Sequence, residues 1–131
     1  MFGDELSIVA IYGLVVALVL VAQATGAVGR LGMGYMLSSR DEPRELGRYT
    51  SRLERAVANS VVAMALFAPA VLIIVLRDRT GGLPLVACQV FLIARVVYLP
   101  AYVAGIAGVR TLAWLTGFAA TIVLYFFGIG A

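Results

Sequence analysis

The chain has 131 residues, of which 63% are apolar and 13% are charged, whereas soluble domains are about 45–50% apolar and about 25% charged. This composition excludes an ordinary soluble domain, and the length leaves room for one packed unit. All ten basic residues are arginines, histidine is absent, and Cys88 is the single cysteine, so histidine catalysis, a disulfide within the chain and a metal site are not expected.

Four apolar spans follow in chain order, and each is long enough to cross a bilayer as a helix, which takes about 20 residues. Buried strands are disfavoured because strands end after about 4–8 residues and these runs do not. The first span follows an acidic start and exceeds the apolar core of a signal peptide, so we expect a retained helix. The predicted fold is an all-α membrane protein, a four-helix bundle forming one domain over residues 1–131, with spans at 6–28, 56–76, 83–105 and 111–129.

The connections between the spans predict an orientation. The cytoplasmic loop is assigned to residues 29–55, which hold six arginines and four acids, and Arg110 is a seventh arginine on the same side. The other side carries Arg77 and Arg79. The positive-inside rule therefore puts both termini on the non-cytoplasmic side, and the inner membrane of a bacterium is the predicted location. At the start of the second helix, Thr50 or Ser51 is predicted to act as the cap.

Every helix contributes a polar side chain to the predicted cytoplasmic half of the bundle. On the second helix the polar residues are spaced i, i+4, and on the third i, i+3, i+7, so each set shares one helix face. In chain order they are Arg30 on the first helix, Arg55 and Asn59 on the second, Arg95, Tyr98 and Tyr102 on the third, and Arg110 on the fourth.

These residues predict a site for an anionic ligand between the helices. No carboxylate lies at membrane depth to pair with the arginines, and guanidinium groups bind carboxylates and phosphates in bidentate fashion. Simpler roles stay open for each residue. Arg30 and Arg55 could reach lipid phosphates, the two tyrosines could be interfacial aromatics, and Asn59 could join helices. Arg95 could bond helix-end carbonyls or an acid of the first loop.

Three segments resemble the signatures of a known family. They are Arg52-Leu-Glu-Arg55-Ala-Val-Ala-Asn59, then Ala94-Arg95-Val-Val-Tyr98-Leu-Pro-Ala-Tyr102-Val-Ala-Gly105 with Arg110-Thr-Leu-Ala-Trp114, and Gly34-Tyr-Met-Leu-Ser-Ser-Arg40-Asp41. In this order they resemble the MAPEG family, the membrane-associated proteins of eicosanoid and glutathione metabolism, and in particular a bacterial-type member similar to microsomal glutathione transferase.

The resemblance implies a homotrimer that binds glutathione between adjacent subunits and acts on small lipophilic electrophiles, with no nucleic acid or metal as partner. Arg30, Arg55, Asn59, Tyr98 and Tyr102 match positions that contact glutathione in such relatives. The family places an arginine beside the thiol at the position of Arg110. A thiol has a pKa of about 8.5, and an adjacent cation favours the reactive thiolate. The protein is therefore predicted to be a glutathione transferase or peroxidase.

Two positions depart from the family pattern. Val62 stands where the family has a glutamate that meets the amino group of glutathione, and Trp114 stands where some relatives have a tyrosine. A non-catalytic protein of the same fold that binds an anionic lipid or amphiphile is therefore the alternative hypothesis. A small proton-coupled exporter is disfavoured, because such proteins depend on a carboxylate within a span.

Overall fold

The computed structural model describes residues 3–37 and 48–130, without the side chains of residues 27, 30, 35, 36, 48 and 49. Its helices are α1 (Glu5–Leu31), α2 (Met33–Met36), α3 (Arg48–Leu76), α4 (Gly82–Ala104) and α5 (Ala107–Ile129). The element α2 is a single turn, and the other four are long and apolar enough to cross a membrane. The described ranges contain no strand. The predicted all-α transmembrane bundle is confirmed.

The outer faces of the long helices expose large aliphatic side chains. Leu14, Leu18 and Val21 of α1 are each about as exposed as Leu112 of α5, at 62%, 62%, 63% and 67%. Such a surface is unfavourable in water and suits the hydrocarbon core of a bilayer. The chain is therefore an integral membrane protein, while its orientation and its homotrimeric state stay predictions.

The bundle has two ends with different construction. Residues 3–8, 76–84 and 126–130 form one end, here called the hairpin end, where α3 turns into α4. Residues 26–37, 48–55 and 102–110 form the opposite end, here called the loop end, which the charge distribution predicts to be cytoplasmic.

The hairpin end is fixed by the first residues of α1. Asp4 is the N-cap of α1, and its carboxylate accepts hydrogen bonds from the Ser7 amide at 3.0 Å and the Ser7 hydroxyl at 2.6 Å. Glu5 is buried, and its Oε2 accepts a 2.8 Å hydrogen bond from the Gly81 amide in the α3–α4 turn. That turn needs glycine because Gly81 and Gly82 both have positive φ.

The core nearest the hairpin end is aromatic. The rings of Phe67 in α3 and Phe91 in α4 stack with centroids 3.8 Å apart, and Tyr12 of α1 meets Phe91 edge-on at 4.9 Å. Cys88 is fully buried in the same cluster.

Small residues let α1 approach α3, because a Cβ on Gly26 would lie 2.9 Å from the hydroxyl oxygen of Thr50.

The predicted cap of the second transmembrane helix is wrong. The helix α3 begins at Arg48, so Thr50 and Ser51 lie inside its first turn. The hydroxyl oxygen of Ser51 accepts a 3.0 Å hydrogen bond from Nη1 of Arg55, one turn along the helix, instead of capping the backbone.

Candidate functional site

The loop end brings side chains from three helices around Tyr102, a half-buried residue in the last turn of α4. From α3, Nε of Arg55 donates a 3.1 Å hydrogen bond to the Tyr102 hydroxyl oxygen, and its Cζ lies 6.0 Å from the ring centroid. From α5, Cζ of Arg110 lies 5.0 Å from the same centroid. Aromatic rings attract cations within about 6 Å. Tyr102 therefore brings together two of the predicted arginines.

The polar row continues along α4 towards the centre of the bundle. The ring centroids of Tyr98 and Tyr102 are 5.6 Å apart with the planes tilted by 49°. Tyr98 is buried, and the Cζ of Arg95 lies 4.0 Å from its ring centroid. The three residues of α4 thus form a connected row, with the buried guanidinium of Arg95 at its inner end.

Arg95 is 2% exposed, which makes it the deepest charged group among the described residues. Its Nη2 donates a 3.1 Å hydrogen bond to the Ser60 hydroxyl oxygen in α3. The partner is therefore a hydroxyl in the middle of a neighbouring helix, and not one of the helix-end carbonyls considered from the sequence. The Nε atom of Arg95 is also buried, and it has no hydrogen-bond partner within the described part of the chain.

Asn59 precedes Ser60 in α3 and is half-buried. Its Oδ1 is buried and accepts no hydrogen bond from the residues that the structure describes, so this atom does not join two helices. Arg30 belongs to the last turn of α1, and its side chain lies outside the described residues. Asp41, Glu42 and Glu45 of the first loop also lie outside them.

Two residues that the sequence did not assign to the site hold parts of it in place, Arg52 at the loop end and Ser60 in the middle of α3. Nη1 of Arg52 donates a 3.1 Å hydrogen bond to the Val103 carbonyl in the last turn of α4, where a cation also complements the helix dipole. Ser60 both receives the hydrogen bond from Arg95 and supplies the carbonyl that accepts a 2.9 Å hydrogen bond from Tyr12. Arg52 could have been found, because it precedes Arg55 by one turn of the same helix.

Gly105 lets Arg52 reach the end of α4. It adopts the left-handed conformation with φ +78°, and a Cβ there would lie 2.9 Å from Nη1 of Arg52. The glycine therefore ends α4 and leaves the space that the guanidinium occupies.

Trp114 lies one turn after Arg110 in α5. In the structure its ring stacks on Phe118 one turn further along α5, with the centroids 5.3 Å apart and the planes within 4°. Trp114 is 38% exposed and also borders a small cavity between α3, α4 and α5.

The arrangement at the loop end can bind anions. Arg52, Arg55 and Arg110 come together there, and Glu54, an exposed residue, is the one carboxylate among the described residues of this end. Arg55 and Arg110 contact a neutral phenol, and no carboxylate of the described residues pairs with them. Among these residues, their charges are available to a carboxylate, a phosphate or a thiolate of a ligand.

Comparison with known proteins gives one positive result. A search of curated proteins found no match. The sequence model of the MAPEG family matches residues 6–130, which is nearly the whole chain and includes all four transmembrane helices. The chain therefore belongs to the MAPEG family.

Proposed function

We propose that the loop end binds glutathione, or a closely related anionic thiol, and presents it to lipophilic electrophiles in a transferase or peroxidase reaction. The observation that carries the proposal is the sharing of Tyr102 by the guanidinium groups of Arg55 and Arg110, which come from different helices. Membership of a family named for glutathione and eicosanoid metabolism supports it.

In this proposal Arg110 stabilises the thiolate. Its guanidinium lies beside an uncharged ring, and a nearby cation favours the deprotonated form of a thiol. The thiol proton leaves to water, and the sulfur electron pair forms the bond to the electrophilic atom. The bond that breaks at that atom leaves its electron pair on the displaced group, which takes up a proton from water. The ligand would be held by Arg55, Asn59, Tyr98 and Tyr102. Arg95 would keep the Tyr98 ring in place, because its guanidinium packs on that ring.

We also propose that the site is completed in a homotrimer. Arg55 is exposed and Tyr102 is half-buried in the single chain, so both have surface left for an adjacent subunit. Crosslinking in detergent tests the assembly, and a chain that stays monomeric would contradict a site shared between subunits.

The second candidate function is a non-catalytic protein that binds an anionic lipid or amphiphile. Val62 favours it, because this residue is 59% exposed and offers no charge to the amino group of glutathione. The two candidates differ in their ligand and in whether a thiolate forms.

The deciding experiment is a titration of glutathione into the purified protein, followed by ultraviolet absorbance of the thiolate. We expect saturable binding and a thiolate signal. In Arg110→Ala we expect binding to persist and the thiolate signal to be lost, because the cation that lowers the pKa of the bound thiol is gone. Arg77→Ala, at the hairpin end, is the matched control and should behave as the wild type. No binding at millimolar glutathione contradicts the transferase proposal.

A further inference from the structure

The short connection between α4 and α5 joins two residues that meet at the loop end. Tyr102 lies in the last turn of α4, Arg110 lies in the first turn of α5, and only two residues, 105 and 106, separate the helices. The Arg110 amide donates a 3.0 Å hydrogen bond to the Ile106 carbonyl. Because the connection is so short, its conformation decides where the Arg110 guanidinium lies relative to the Tyr102 ring.

The end of α4 takes a partner from another helix. The last four carbonyls of a helix have no partner within it. Two of those in α4 accept hydrogen bonds from the amides of the turn, at 3.1 Å from Gly105 and at 2.9 Å from Ile106. The Val103 carbonyl is a third, and it accepts the 3.1 Å hydrogen bond from Nη1 of Arg52. A side chain of α3 therefore takes part in closing the end of α4.

The helix that carries Arg52 is packed against both α4 and α5. Ala56, one turn further along α3, is fully buried and lies in one cluster with Tyr98 of α4 and Ala113 of α5. The Arg52 guanidinium lies against the α4–α5 turn, where a Cβ on Gly105 would be 2.9 Å from its Nη1. An arginine placed in this way can fix the turn, because the core restrains the helix from which it extends.

We propose that Arg52 is a positioning residue, which fixes the α4–α5 turn and so holds the Arg110 guanidinium beside the Tyr102 ring. The helix α3 then controls Tyr102 at two points. Arg55 donates to its hydroxyl oxygen at 3.1 Å, and Arg52 binds the carbonyl of the next residue in the chain. The positioning itself needs no ligand, whereas its use in forming a thiolate rests on the proposed function.

A simpler role for Arg52 is to stabilise the end of α4 and nothing more. A cation near the carboxyl end of a helix stabilises it by complementing the helix dipole. That role predicts a lower free energy of unfolding when Arg52 is replaced, with the Arg110 side chain left in place. The two roles are therefore separated by observing Arg110 itself, in variants that remove the hydrogen-bond donor and in one that keeps it.

Nuclear magnetic resonance of the arginine side chains tests the position of Arg110 without a ligand. Groups above the face of an aromatic ring resonate upfield, and Tyr102→Leu gives the Arg110 signal in the absence of the ring. In Arg52→Met we expect this signal to move towards its position in Tyr102→Leu. Arg52→Gln, whose side chain is too short for the carbonyl, should behave in the same way. Arg52→Lys keeps a donor and the charge and should restore the wild-type signal.

The matched control is Arg48→Met, which removes the same charge from the first residue of α3. We expect it to leave the Arg110 signal unchanged. A wild-type signal in both Arg52→Met and Arg52→Gln overturns the proposal. An equal change in Arg48→Met also overturns it, because the loss of charge alone would then be responsible.

The pKa of bound glutathione tests whether this positioning serves the proposed chemistry. Thiolate absorbance is followed against pH in the wild type, Arg52→Met, Arg110→Ala and the double variant. We expect Arg52→Met to raise the pKa of the bound thiol, so that the thiolate fraction at neutral pH falls by about tenfold, a coupling typical of residues in one network. In the Arg110→Ala background it should have no further effect, because a positioning residue acts through the residue that it places.

An equal rise of the thiol pKa in both backgrounds overturns the proposal, since Arg52 would then act on the thiol directly. An unchanged pKa in Arg52→Met overturns it as well. If the wild type binds no glutathione, only the proposed function is contradicted, and the arginine signals still decide whether Arg52 positions Arg110.

Discussion

The two ends of the bundle use the same residue type in opposite ways. At the hairpin end, Arg79 donates through Nη1 to the carbonyls of Phe127 at 2.8 Å and Gly128 at 3.3 Å, and also to that of Gly130. Arg77 donates to the Gly128 carbonyl at 3.2 Å. Both arginines are therefore engaged with backbone oxygens that the last turn of α5 cannot satisfy by itself.

At the loop end, the polar environment of the arginines is different. Arg55 and Arg110 lie beside the ring of Tyr102, and of the arginine side chains described at this end only that of Arg52 binds a helix-end carbonyl. At the hairpin end, the arginines stabilise the fold because they bind backbone carbonyls at the end of a helix. At the loop end, Arg55 and Arg110 lie beside a phenol, so their charge remains available to a ligand.

The largest effects on glutathione affinity and on the free energy of unfolding are expected from replacing one arginine at each end of the bundle. Arg55→Met should lower glutathione affinity by about tenfold or more, because hydrogen bonds to charged groups contribute roughly 1.5–3 kcal/mol. Arg79→Met should leave affinity unchanged and lower the free energy of unfolding by about 1–3 kcal/mol, since α5 carbonyls lose their partner. Calorimetric titration and thermal unfolding measure the two effects. Equal effects of both variants on affinity would contradict the division between the ends.

The next largest effect is expected at Gly105, which ends α4 and leaves space for the Arg52 guanidinium. Gly105→Ala should lower the free energy of unfolding by roughly 1–3 kcal/mol, because alanine is strained at positive φ and its Cβ would meet Arg52. Gly108→Ala is the matched control, since nothing lies within 4 Å of a Cβ there. The measurement is thermal unfolding in detergent. Similar losses in both variants would show that the Arg52 contact contributes nothing.

A substitution at Glu5 changes the hairpin end and leaves its arginines in place. Glu5→Gln keeps an oxygen near the Gly81 amide but removes the charge that strengthens this hydrogen bond. We expect a loss of about 1 kcal/mol in the free energy of unfolding, with glutathione affinity unchanged. Denaturation of both proteins in the same detergent measures the loss, and a changed affinity would mean that the two ends are coupled.

The smallest effect is expected at the N-cap. Hydrogen bonds from the Ser7 hydroxyl and then the Ser7 amide lower the pKa of the Asp4 carboxyl below its ordinary value of 3.8. A lowered folded-state pKa stabilises the helix start above the ordinary value, and this contribution disappears as the pH falls through the folded-state pKa. Ser7→Ala should raise the pKa of Asp4 towards 3.8, as followed by NMR titration. An unchanged pKa would contradict the Ser7 hydroxyl as the main cause of the lowered value.

The sequence predicted the four helices because apolar runs long enough to span a bilayer leave few alternatives. It also predicted that Arg95, Tyr98 and Tyr102 share one face, since helical spacing alone decides this. It missed Ser60 as the partner of Arg95 and Gly81 as the partner of Glu5. Those pairs depend on how far one helix is shifted along another, which no local pattern records. The capping prediction failed because α3 already includes Thr50 and Ser51, and a cap must precede the first helical residue.

The arginine contacts at the hairpin end have a consequence for biosynthesis. Arg79 is translated 48 residues before the first carbonyl that it binds, in Phe127. While α3 and α4 enter the membrane, its charge must be hydrated or held by lipid phosphates. The arrival of α5 supplies the backbone acceptors and releases those temporary partners. The insertion of α5 is therefore the event that closes the hairpin end, and a chain that lacks α5 would expose this turn to proteases on that side of the membrane.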